Sequence, residues 1–193
     1  MDKAKKVVLF GGSGFLGSHV ADALTKKGFD VVIFDMSQSN FINDKQKMVL
    51  GDILDPEQVN DVVQNSQYVY HFAGLADINE AKVKPVETIT SNILGTTNIL
   101  EACKNNSIER FVFASTIYVY SELGSFYRSS KQACELIIEN YFDEYNLDYT
   151  ILRYGSLYGR RANKFNFIHN AVSQALLDNK IDIAVHALKD MPS

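Results

Sequence analysis

The chain has little of what would divide it, cross-link it or carry it into a membrane. With three prolines and no low-complexity tract, no linker interrupts residues 1 to about 178, so one domain over 1–178 is expected, with an atypical tail at 179–193. Its two cysteines, Cys103 and Cys134, lack a C-x-x-C pattern or a histidine at ligand spacing. They read as buried thiols in a reducing compartment, with no metal site expected. A net charge of −4 without any Lys/Arg stripe removes the electrostatic footprint of a nucleic-acid binder. No uninterrupted apolar run is long enough to span a bilayer. The start, MDKAKKVVLFGGSGFLG, is basic and then apolar, but glycines at 11, 12, 14 and 17 break it and no small-residue cleavage site follows. A soluble, cytoplasmic protein with no nucleic-acid or membrane partner is expected.

What the chain does have is alternation. Residues 5–10, 30–34, 47–50, 68–72, 110–115 and 148–154 are short β-rich runs, and their nearly unbroken apolar character suits parallel strands covered on both faces. Between them lie amphipathic stretches at 14–28, 56–64, 85–106 and 125–145. Gly28 suits a helix end and Pro56 a first helical turn. Repeated strand–helix units with short connections predict an α/β protein with a doubly wound parallel sheet and right-handed crossovers.

The first strand runs into GGSGFLG, whose glycines fit both G-x-G-x-x-G (12, 14, 17) and G-x-x-G-x-x-G (11, 14, 17). Such a turn admits a pyrophosphate against the N–H groups that open a helix. Asp35 ends the second strand eighteen positions after Gly17, the context a dinucleotide site requires. Its carboxylate can accept both hydroxyls of an adenosine ribose but repels a 2′-phosphate. The following MSQSN offers no cation for that phosphate, so NAD is preferred over NADP.

Further along, Tyr127 and Lys131 stand at i and i+4 on a predicted helix and share a face. A free phenol has a pKa of roughly 10, and a nearby ammonium is expected to lower it towards the range of a working base. Ser115 and Thr116 lie just past a strand's carboxyl end, where one hydroxyl can meet the reacting oxygen. Tyr118 and Tyr120 have no cation at helical spacing and read as packing or pocket-lining residues.

These residues resemble the extended short-chain dehydrogenase/reductase family, in particular its NAD-dependent nucleotide-sugar epimerase/dehydratase group. The resemblance runs from residue 5 to about 175. It is carried by GGSGFLG, Asp35, GDILD (51–55), HFAGLA (71–76), SNILGTTNILEA (91–102), FAST (113–116), YRSSK (127–131) and LRYGSLYG (152–159). It implies a Rossmann-type sheet in which Phe15 and Leu16 offer backbone to the pyrophosphate and Asp52 and Ile53 flank the adenine. By the same resemblance Ala73 and Gly74 pass close to the cofactor ribose and Asn92 supports that region. Thr116, Tyr127 and Lys131 take the parts of catalytic hydroxyl, acid/base and ribose-holding cation. The implied chemistry is reversible hydride transfer at a carbon of a nucleotide sugar, with NAD regenerated in each cycle. Helices 85–106 and 125–145 correspond to those that relatives pair in a homodimer.

Ile117 and Tyr118 stand where sugar dehydratases resemble Asp-Glu, which favours epimerisation over dehydration. The segment between Thr116 and Tyr127 is shorter than in most relatives. Gly155-Ser156 replaces a frequent asparagine, and Arg160 a frequent proline. Most of the family's substrate-binding region has no counterpart, so a non-catalytic NAD-binding module and a nucleotide-sugar dehydratase stand as alternatives to an epimerase. The last residues, IDIAVHALKDMPS, resemble a piece of porphobilinogen deaminase instead, with Lys189 and Asp190 at a cofactor-contacting lysine and a catalytic aspartate. The attachment cysteine and arginines of that family are not identifiable, so no deaminase activity is expected.

Overall fold

The structure, a computed structural model, describes residues 4–162 and 166–178. The features expected of the tail at 179–193 lie outside the described residues. Six strands form one parallel sheet: β1 (Lys6–Phe10), β2 (Asp30–Asp35), β3 (Gln46–Leu50), β4 (Tyr68–His71), β5 (Arg110–Thr116) and β6 (Tyr149–Tyr154). Their spatial order is β3-β2-β1-β4-β5-β6, and every neighbouring pair is parallel. All six expected strands are present, and the doubly wound order follows.

Strand alternation builds two cores from one sheet. Val7, Leu9, Val31 and Ile33 pack on one face with Ala21 and Leu24 of α1 (Phe15–Lys26). Val8, Phe10, Val32 and Phe34 belong to the other core, with residues of α2 (Pro56–Val63), α5 (Gly95–Asn105) and α6 (Ser125–Tyr145). Both neighbours in each central strand are therefore buried, which is why those strands read as continuous apolar runs. The sheet edges β3 and β6 are only partly covered.

Helix α2 shows how locally the ends are fixed. Asp55 accepts hydrogen bonds from the N–H groups of Glu57 and Gln58, and the Gln58 amide returns to Asp55 at 2.8 Å. Pro56 occupies the first turn, where its missing N–H costs nothing. Asp55→Ala is expected to cost about 1 kcal/mol, read as a lower urea midpoint with unchanged slope.

Two elements differ from the sequence expectation. The stretch 85–106 is three pieces: α4 (Pro85–Ile89), a π-helical turn (Thr90–Leu94) and α5. The hydroxyls of Thr88, Thr96 and Thr97 each bond the carbonyl four residues back, competing with the regular ladder around that turn. A short helix, α3 (Ile78–Val83), also precedes Pro85; Asp77 caps it by accepting from the N–H groups of Asn79 and Glu80.

Met1–Gly155 and Ser156–Ser193 form two compact units. In the second, α7 (Phe167–Asp178) is capped by Asn166, whose side chain accepts from the His169 N–H at 3.0 Å. Among the described residues, no helix is long and apolar enough to cross a membrane. Both cysteines are free and buried.

Candidate cofactor and active site

The chain reverses its direction of travel across the sheet between β1 and β4, and a crevice opens beyond their carboxyl ends. There the glycine turn leaves β1. Gly11 takes φ +78° and its N–H bonds the Phe34 carbonyl at 2.9 Å, tying the turn to β2. A β-carbon on Gly17 would stand 2.3 Å from the Gly11 carbonyl oxygen, so helix and turn touch backbone to backbone. Gly14 caps α1 without any side-chain hydrogen bond, which leaves the first helical N–H groups available to an anion.

Asp35 is held at the end of β2 by two main-chain donors. Its carboxylate accepts from the N–H groups of Ser13 and Ser37, each at 3.1 Å. The Ser13 hydroxyl meanwhile donates to the Ser37 carbonyl at 2.8 Å. A carboxylate has about four acceptor positions, so two remain for a vicinal diol.

A cavity of about 710 Å³ occupies this crevice, a volume in the range of cofactor sites. Of the expected cofactor residues, Gly11, Gly14, Asp35, Asp52, Ile53, Ala73 and Gly74 line it. The lining does not include Phe15, Leu16 and Gly17, in the first turn of α1, Asn92, buried in the π turn, or Tyr127 and Lys131. Asn92 acts as a brace: its oxygen accepts from the Leu75 N–H at 2.8 Å, while its amide donates to the Leu75 carbonyl and the Ser130 hydroxyl. The strip Ala73–Leu75 is thereby joined to α6 one residue before Lys131. The uncapped helix start, the glycine contact and the doubly anchored Asp35 fit the diphosphate and ribose of a dinucleotide.

Thr116, Tyr127 and Lys131 converge beside β5. Thr116 is the last residue of that strand, and the Tyr118 N–H donates to its hydroxyl at 3.2 Å. Burial raises the Tyr127 phenol above its ordinary value, and a hydrogen bond with Thr116 works against that rise. Lys131 is buried; its ammonium donates to the Ala114 carbonyl at 3.0 Å and lies 6.0 Å from the centroid of the Tyr127 ring. Burial pulls its pKa down to about 8, against the opposing influence of Cys134 and Glu135.

The expectation that Lys131 lowers the phenol's pKa is therefore corrected. The lysine has spent part of its own charge stability on burial, and desolvation governs Tyr127. Tyr120 instead packs on Arg153, with the guanidinium carbon 4.9 Å from its ring centroid. Buried His71 bonds Thr96 through Nε2 at 2.9 Å, and burial pushes its pKa well down, so the ring is neutral.

Several residues of the cavity wall belong to no motif, among them Ser37, Glu80, Glu87 and Thr90. Only the spacing of Glu135, four residues beyond Lys131, offered a signal for the polar cluster on α6.

A 3-2-1-4-5-6 parallel sheet, with a glycine turn after β1 and an aspartate ending β2 beside its switch point, defines a Rossmann-type dinucleotide-binding protein. The model of the NAD dependent epimerase/dehydratase family matches residues 7–187, and the chain belongs to that family. It is 31% identical over 185 residues to a UDP-N-acetyl-alpha-D-glucosaminuronate decarboxylase from Bacillus cytotoxicus, covering 82% of this chain and 56% of the relative. A UDP-glucose 4-epimerase from Schizosaccharomyces pombe is 34% identical over 132 residues, covering 60% of this chain and 36% of that protein. The crystal structure of a UDP-glucose 4-epimerase from Thermus thermophilus, in complex with NAD, superposes with a TM-score of 0.81 at 28% identity, over 89% of this chain and 62% of that one. The cofactor is NAD. The chain spans little more than half the length of the first curated relatives it matches, 57% and 56%.

Asp35→Ala should weaken NAD binding by about ten- to a hundredfold through two lost charged hydrogen bonds. Titration calorimetry measures this, and unchanged affinity would contradict the placement of the ribose.

Proposed function

We propose that this chain carries the catalytic half of an NAD-dependent nucleotide-sugar epimerase, with Tyr127 as acid/base. The observation that carries the reading is the grouping of the half-buried Tyr127 phenol with Thr116 and with buried Lys131, whose ammonium lies 6.0 Å from the Tyr127 ring centroid. Bound oxidised NAD supplies the hydride acceptor and a positive ring charge. The Tyr127 oxygen takes the proton of a sugar hydroxyl as its carbon is oxidised, and returns that proton when the carbon is reduced on the opposite face. Thr116 positions the same sugar oxygen, while Lys131 holds the cofactor ribose and keeps a positive charge near the phenol. Ile117 and Tyr118, which follow Thr116, offer no carboxylic acid for elimination of water, which supports epimerisation over dehydration.

UDP-sugars are the substrate class we propose, in line with the names of the relatives. We also propose a homodimer through the helices of 85–105 and α6, supported by exposed Val86, Ile89, Leu136 and Phe142. A monomeric mass in sedimentation would overturn that arrangement. The reading itself is tested by incubating the NAD-loaded chain with UDP-glucose and resolving the sugar nucleotides. Appearance of the 4-epimer supports it; bound NAD with unchanged sugar assigns the chain to NAD binding alone.

A further inference from the structure

Helix α6 meets the end of β5 at three points. Tyr127 lies near enough to Thr116 for that side chain to favour its phenolate, Lys131 donates to the Ala114 carbonyl at 3.0 Å, and Glu135 accepts from the Ser115 hydroxyl. These side chains stand at i, i+4 and i+8, one row on one helix face. Glu135 is as buried as Lys131, each 6% exposed, and Arg153 of β6 grips its carboxylate. The Arg153 Nε lies 3.1 and 3.2 Å from the two oxygens, and Nη2 lies 2.7 Å from Oε2. Strand register places Arg153 directly opposite Ser115. The remaining guanidinium nitrogen, Nη1, donates to the Tyr120 hydroxyl, while the guanidinium lies over the Tyr120 ring. Tyr120 closes the 3-10 turn Ile117–Tyr120, which begins directly after Thr116.

One buried carboxylate thus joins four segments: the end of β5, the turn that follows it, α6 and β6. We propose that Glu135 and Arg153 are positioning residues for the reaction, a clamp that fixes Thr116 against Tyr127 by locking β5 and its following turn to α6 and β6. The inference rests on the reading of Tyr127 as acid/base. Geometry of this kind is worth much in rate, because a shift of about 1 Å between reacting groups can cost about a hundredfold.

The clamp has a second consequence, through Lys131. The groups facing that ammonium are Tyr127, Cys134 and Glu135 from α6, His71 from β4, and the Phe113 ring and Ala114 carbonyl from β5. Burial keeps the Cys134 thiol protonated and His71 neutral. That leaves the Glu135 carboxylate as the anion that favours the protonated lysine. Removing it lowers the pKa of Lys131 further, so the charged form is lost at lower pH and the alkaline limb of the rate profile moves down.

The test is Glu135→Gln, which keeps the shape and an acceptor for Ser115 but removes the charge, with Arg153→Met and the double variant beside it. The clamp predicts a kcat about ten- to a hundredfold lower in Glu135→Gln, with KM and NAD content little changed and the alkaline limb moved down. It also predicts a double variant no worse than the poorer single one. A folded Glu135→Gln protein with wild-type kcat and an unmoved limb would overturn it, as would full additivity of the two substitutions. Should Glu135→Gln fail to fold, Ser115→Ala cuts one arm while sparing the Glu135–Arg153 ion pair; it predicts a lower kcat, and wild-type kcat overturns the clamp. If the wild-type chain converts no sugar, the acid/base reading fails separately. NMR titration of Lys131 then decides the clamp: a lower pKa in Glu135→Gln upholds the coupling and an unchanged one removes it.

Discussion

Tyr127→Phe is expected to lower kcat by about a hundred- to ten-thousandfold, the usual contribution of a positioned acid/base, while NAD stays bound. The substitution deletes one oxygen and keeps the ring in place against α6. The loss is identified by what the oxygen would do in the proposed cycle: without it the sugar proton has no acceptor. KM should change little, because the missing interaction matters in the transition state. Retention of more than about a tenth of wild-type turnover, well outside the range for such a group, would contradict the assignment. Because burial holds the phenol above its ordinary pKa, it is protonated at neutral pH, and a further positive charge, the nicotinamide ring of oxidised NAD, would favour its phenolate. Loading with oxidised rather than reduced NAD should therefore lower its pKa, which ultraviolet difference titration can read in the wild type and lose in the variant.

The second large effect is expected from Gly17→Ala. The added carbon would meet the Gly11 carbonyl oxygen at 2.3 Å and the Gly12 Cα at 2.7 Å, both backbone atoms. No rotamer can relieve a clash with main chain, so α1 must move away from the turn or the turn must open. Overpacking of this kind costs about 1–3 kcal/mol or more. Here the displaced atoms are those that would cradle the diphosphate in the proposed cofactor site, so cofactor affinity should fall by more than about a hundredfold. Thermal unfolding with and without NAD checks this: the variant should melt lower and gain almost nothing from added cofactor. A wild-type shift on NAD addition would show that the close approach of α1 to the turn is not needed.

The strands were legible because burial on both faces leaves a plain mark, an apolar run bounded by turn residues. Val7–Phe10 and Val31–Phe34 are the clearest cases. Legibility fell where side chains overrule the ladder. Nothing in the spacing of 85–106 separates a straight helix from one broken by a π turn, because the cause lies in threonine hydroxyls finding carbonyls four residues back. Helix α3 is six residues long, too short to show a period, and its Asp77 cap is its main trace.

At the candidate site, glycines and Asp35 were readable because the backbone constrains which residue types can stand there. Ser37 and Thr90 also line the cavity, but neither stands in a motif with a spacing that would single it out. The Tyr127–Lys131 pair was readable as a spacing, but its electrostatics were not. Only the packed structure shows that burial pulls the lysine to about 8 and pushes the phenol up.

The central claim, an epimerase cycle of hydride transfer with Tyr127 as acid/base, is tested most directly by proton NMR of UDP-glucose incubated with the NAD-loaded chain in deuterated water. Direct hydride return predicts growing UDP-galactose signals with no deuterium on any sugar carbon, because the carbon-bound hydrogen never exchanges with solvent. Solvent deuterium in a 4-keto-6-deoxy product would contradict the account in favour of dehydration, and unchanged UDP-glucose with NAD bound would contradict it in favour of a binding module.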